Sequence, residues 1–124
     1  MTAPGGPRGA LGSRAEDAVA DYLERNGFVV VARNLRIGKL ELDIVARQRE
    51  LLVIVEVRTR GAGSWTTGLS SLTYAKRERI RRAGQRLWRR RYQSDASVQR
   101  LRFDAAVVHF DDSGTRVEYV IAAF

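Results

Sequence analysis

The chain has 124 residues, 44% of them hydrophobic, with no cysteine, one histidine and a formal net charge of +8. That describes one domain with enough apolar residues for a core, and it excludes disulfides, thiolate metal sites and an imidazole cluster. The positive excess is nearly all arginine, since Lys39 and Lys76 are the only lysines, and it points towards polyanions, chiefly nucleic acid.

The elements follow in a simple order. Residues 1–10 hold both prolines and are expected to form a mobile tail, leaving 11–124 as a single domain. From Ser13 to Asn26, Ala15, Ala18, Val19, Tyr22 and Leu23 recur at helical spacing, with Ser13 as cap, Glu16 three residues on as a capping box and Gly27 as the stop. Strands are expected over 28–36, 39–47 and 51–60. A glycine- and serine-rich connection fills 61–72, and a second helix runs from about Thr73 to Tyr92. Two more strands, 101–110 and 116–123, are joined by the turn DDSG. No apolar run approaches the roughly 20 residues needed to span a bilayer. MTAPGGPRGALGSR lacks the apolar centre of a secretory signal. The expectation is a soluble cytoplasmic protein with no membrane partner.

The segment GKLELDIVARQRELLVIVEVRTR, 38–60, carries the chemistry. Leu40, Leu42 and Ile44 alternate with Glu41 and Asp43; Val53, Val55 and Val57 alternate with Ile54, Glu56 and Arg58. Period-two alternation predicts strands with one buried face, which puts the acids and Arg58 on a shared surface. A two-residue turn at Arg49-Glu50 would set Asp43 opposite Glu56 and Glu41 opposite Arg58. Two facing carboxylates repel unless a cation joins them. With no cysteine and one histidine, that cation would be hard and oxygen-ligated: magnesium, manganese or calcium. The competing reading is a wet sheet face carrying ordinary surface acids, with Arg58 in a salt bridge to Glu41.

On the second helix, Ile80, Ala83, Gly84, Leu87 and Trp88 form the stripe expected to face the core. Nine cations fall between Lys76 and Arg91, opposed only by Glu78. Such a run is commonly a solvated face, but its self-repulsion weakens the helix, and phosphates would relieve it. Asp104, in mid-strand, is read as structural, and His109 as a strand-end residue without chemistry.

The order helix, three strands, helix, strand, with Asp43, twelve residues and then Glu56-Val57-Arg58, resembles the PD-(D/E)XK nuclease signature. More closely, the chain resembles the YraN-like family of small bacterial proteins, thought related to Holliday-junction resolvases. GSRAEDAVADYLERNGFVVVARN (12–34), GKLELDIVA (38–46), VIVEVRTR (53–60), the helix beginning near Lys76 and RFDAAVV (102–108) carry the resemblance.

The resemblance implies a restriction-endonuclease-like α/β fold: an αβββαβ core with a mixed sheet flanked by helices and one extra C-terminal strand. It implies hydrolysis of phosphodiester bonds in DNA, in branched or single-stranded structures, with Mg2+ or Mn2+ as cofactor. Asp43, Glu56 and the backbone carbonyl of Val57 would hold the metal. Glu16 matches the family's helix acid and would complete the cluster or orient a water. Glu41 matches a glycine-glutamate-x-aspartate segment that here reads GKLELD. Arg58 stands where the family places lysine. An arginine can clamp a phosphate but cannot serve as a base. Arg60, Lys76, Arg79, Arg82 and Arg86 are candidates for nucleic-acid binding, with Trp65 for stacking on a base. Resolvase-like relatives imply a homodimer. The alternative to a nuclease is a non-catalytic nucleic-acid-binding module that retains the fold. A third reading is a protein-binding scaffold that uses the basic helix.

Overall fold

The computed structural model describes residues 9–61 and 72–124. Trp65 and nearly all of the glycine- and serine-rich connection lie outside the described residues, as do residues 1–8 of the expected tail. Helix α1 (Gly9–Arg25) leads into β1 (Val29–Ile37), β2 (Leu40–Gln48) and β3 (Leu51–Gly61). Helix α2 (Tyr74–Leu87) ends in a π-helical turn, Trp88–Tyr92, and is followed by β4 (Arg100–Asp111) and β5 (Gly114–Val120).

The five strands lie in the order β1-β2-β3-β4-β5. The first three form an antiparallel meander, β3 and β4 are parallel, and β4 and β5 close as an antiparallel hairpin. A parallel pair needs a crossover long enough to return the chain, and α2 lies within that crossover. This is the mixed sheet flanked by helices, with an extra C-terminal strand, that the order of motifs predicts.

The central strands of the sheet are buried on both faces, not on one. Ile44, Ala46, Val53, Val55, Val57, Ala106 and Val108 pack with Ala15, Val19 and Leu23 of α1. Leu42, Val45, Leu52, Ile54 and Ala105 pack with Ile80, Ala83 and Leu87 of α2. The expected wet face on β2 and β3 is therefore overturned, because each helix covers one side of the central strands. Within β2 the alternation also slips. Leu42 belongs to the α2 side and Ile44 to the α1 side, two residues on, so the phase breaks at Asp43.

The helix ends have local causes. Gly27 (φ 86°) supplies the left-handed residue that stops α1, with Phe28 N–H donating to the Leu23 carbonyl and Gly27 N–H to that of Glu24. Thr73 caps α2, its hydroxyl accepting from the Lys76 amide at 3.3 Å. At Gly84 a Cβ would come within 2.6 Å of the Phe103 ring, so glycine sets how closely α2 approaches the sheet. The expected capping box at Ser13 and Glu16 is not formed. Helix α1 starts one turn earlier, at Gly9, which leaves Ser13 inside it and Glu16 buried beneath it.

Candidate metal and nucleic-acid site

Two adjacent central strands bring Asp43 and Glu56 together. The hairpin turns at Arg49-Glu50, with Gln48 opposite Leu51 and Ile44 opposite Val55, and Asp43 and Glu56 are the next residues outward. Arg49 takes the left-handed conformation (φ 55°) that closes so short a connection. Beyond Ile44 and Val55, the Asp43 carboxylate accepts from the Val57 amide at 2.9 Å in place of a strand partner. The Glu56 and Asp43 carboxyl groups lie close enough to act on each other through charge and hydrogen bonding.

Burial dominates the electrostatics. Asp43 is 4% exposed and the Glu56 side chain 13%. Desolvation, then the neighbouring Asp43 charge and the shared hydrogen bond, push the Glu56 pKa up to about 8, although Arg58 opposes them. Arg58 donates to Glu56 through Nη1 at 3.1 Å and is only 18% exposed. The structure gives it an ion pair with Glu56. A protonated Glu56 beside Asp43 forms a hard-oxygen pair in which a divalent cation could replace that proton.

Glu41 is exposed and faces Arg36 across the β1–β2 ladder, outside the buried pair. Glu16 is 1% exposed and accepts from the Asn34 side chain at 2.9 Å. Among the described residues no group of three or more His, Cys, Asp or Glu side chains converges to hold a metal, so the three-acid cluster expected with Glu16 does not appear there. Two carboxylates with waters and substrate phosphates nonetheless suit Mg2+, which rarely has an all-protein cage. Arg60 is half-buried in the same strand phase as Glu56 and Arg58. On α2, Arg79, Arg82 and Arg86 are exposed and Lys76 half-buried, and the Arg86 guanidinium lies against Gly38 in the β1–β2 turn. That approach links the basic face to the end of the sheet towards which Asp43 and Glu56 lie.

One feature went unread in the sequence, and one expected to be structural proves so. Asn34 engages Glu16, and its only advance signal is an asparagine amid the apolar and basic residues of a strand. Asp104, fully buried, accepts two bonds from Arg102 at 2.9 Å, one from the Tyr119 hydroxyl at 2.6 Å and one from the Ala122 amide at 2.8 Å. It clasps the end of β5 to β4. His109 bonds Glu118 at 3.1 Å across the same hairpin.

Fold and acid pair together define a domain of the restriction-endonuclease-like class. The model of the uncharacterised protein family UPF0102 matches residues 15–108, and the chain belongs to that family, the YraN-like proteins. It is 53% identical over 118 residues to a UPF0102 protein of Sorangium cellulosum, covering 94% of this chain and 82% of that one. It is 38% identical over 114 residues to UPF0102 proteins of Desulforapulum autotrophicum (92% of each chain) and Bacteroides fragilis (92% and 91%). No helix among the described residues is long and apolar enough to cross a membrane.

Proposed function

We propose that this protein is a Mg2+- or Mn2+-dependent nuclease acting on DNA, with Asp43 and Glu56 as the metal-holding pair. The observation that carries the reading is the burial of two carboxyl groups against each other on adjacent strands, an arrangement that suits a divalent ion. A bound metal would lower the pKa of water and neutralise charge growing on the phosphate. The Val57 amide orients Asp43 and so fixes the direction in which its carboxylate meets a ligand. Arg58, held beside Glu56, can clamp a phosphate oxygen through its guanidinium. Arg60 adds charge on the same strand. The exposed arginines of α2 would hold the sugar-phosphate backbone through counterion release, without reading sequence.

A second reading is a non-catalytic nucleic-acid-binding module. The observation in its favour is Arg58 itself, a permanent cation tied to Glu56 where a lysine could have served as a base. One experiment separates the two. Wild-type protein is incubated with labelled linear, single-stranded and branched DNA, with and without Mn2+. A nuclease cleaves with metal only, and Asp43→Ala and Glu56→Ala abolish cleavage while salt-dependent binding persists. Binding without cleavage under any of these conditions would sink the nuclease reading.

A further inference from the structure

The sheet has two edges, and they are built differently. Strand β1 carries the devices that keep an edge from pairing: a register shift between Val30 and Ala32, Asn34 in the left-handed region at φ 51°, and the exposed cations Arg33 and Arg36. Strand β5 carries neither bulge, proline nor lysine, and it pairs with β4 in unbroken register from Gly114 to Val120. Among the described residues β4 is its only strand neighbour.

The free side of β5 follows from the hairpin. Asp111 and Gly114 close a two-residue turn, and a turn of that length closes on a hydrogen-bonded pair. By the antiparallel alternation, Gly114, Arg116, Glu118 and Val120 direct their backbone groups to β4, whereas Thr115, Val117 and Tyr119 direct theirs outward. Val117 and Tyr119 pack towards α1, so Arg116 and Glu118 stand together on the opposite face, both exposed. These opposite charges flank Val117, the midpoint of the strand.

We propose that β5 is a self-complementary docking edge, through which two copies of this chain join β5 to β5, antiparallel about a two-fold axis at Val117, into one continuous sheet. That axis sets Arg116 against the partner's Glu118 and Glu118 against the partner's Arg116. Both are non-hydrogen-bonded pairs, whose side chains approach most closely. Val117 meets its own copy, Thr115 meets the partner's Tyr119, and the whole strand is used. An axis at Arg116 or at Glu118 would instead bring like charges together. The guarded β1 edges then lie at the two ends of the joined sheet and stop further growth. This pairing stands independently of the metal-site reading.

The test is sedimentation velocity of the full chain over a concentration series, without DNA or metal. The wild type is expected to show a monomer–dimer equilibrium. Arg116→Glu and Glu118→Arg each place like charges opposite one another twice across the axis, and each is expected to weaken the dimer by about tenfold or more. Mixing the two variants in equal amounts restores opposite pairs and should give a heterodimer as tight as the wild type. The double variant carrying both changes should also dimerise normally. Thr115→Pro removes an outward N–H without altering charge and should weaken the dimer as well, so it decides the question if a charge reversal does not fold. A wild type that stays monomeric to millimolar concentration overturns the proposal. So does a dimer that the single reversals leave intact, or one that the mixed variants fail to restore.

Discussion

The Asp43 and Glu56 carboxyl groups meet one step beyond the last β2–β3 backbone pair, Ile44 with Val55. The strands supply proximity, and the slip in β2 turns Asp43 onto the Val57 amide. The two acids are thus constrained by the backbone and cannot relax apart at the cost of a rotamer alone. A metal-free protein answers the repulsion by keeping a proton on the pair.

That proton makes stability depend on pH in an unusual direction. Folded Glu56 keeps its proton up to about pH 8, whereas in the unfolded chain it is lost near the ordinary value of 4.5. Between those values the folded state binds more protons than the unfolded one, so this group's contribution falls as pH rises through the window and is flat above it. Melting temperature in EDTA, compared between wild type and Glu56→Gln, checks this. The wild type should lose stability relative to the variant from about pH 4.5 to 8. The stabilisation conferred by Mn2+ should grow over the same range as the proton is displaced.

Replacing Arg58 with lysine restores the residue that the nuclease signature carries. Lysine can shift towards neutrality beside a cation and help position or deprotonate water, which arginine cannot. Single-turnover cleavage with saturating Mn2+ is expected to rise by about 100-fold or more, in the range typical of an added general base. DNA affinity should change little. An unchanged rate would show that the arginine is not what limits the chemistry.

The basic face of α2 should act on affinity and not on the chemical step. Arg82→Glu and Arg86→Glu alter exposed side chains, so folding should be preserved. Fluorescence anisotropy across a salt series should show weaker DNA binding and a shallower salt dependence. On duplex DNA the slope should drop by roughly 0.9 for each phosphate that the variant no longer neutralises. An unaltered slope would return this helix to the status of a solvated surface.

Asp104 should behave as a clasp. Asp104→Asn removes a buried charge that satisfies Arg102, Tyr119 and Ala122 at once, and losing one side of such a pair costs about 3–5 kcal/mol. Thermal or urea unfolding should register this loss. Mn2+ affinity of the variant, measured well below its melting temperature, should match the wild type. A selective loss of metal binding would instead place Asp104 in the site.

The strands, their hairpin register and the pairing of Asp43 with Glu56 were all legible in the residues from 38 to 60. Period-two alternation and a two-residue turn are local properties, and antiparallel neighbours in the chain become neighbours in space. The end of α1 at Gly27 and the start of α2 near Thr73 were readable for the same reason. Burial of both sheet faces was not, because the alternation of β2 and β3 is compatible with a wet surface until α1 and α2 are laid over them. The false capping box at Ser13 arose from a local pattern that the longer helix overrode.

By itself the sequence determined the order of elements, the two acids on neighbouring strands and the arginine-rich helix, since each depends on spacing within a short stretch of chain. Only the tertiary structure decided that the acid pair is buried, that Asp43 sits at a slip in its strand, and that Glu16 meets Asn34 eighteen residues away. Those outcomes depend on contacts between distant segments and on desolvation, and neither leaves a periodic mark in the chain that makes them.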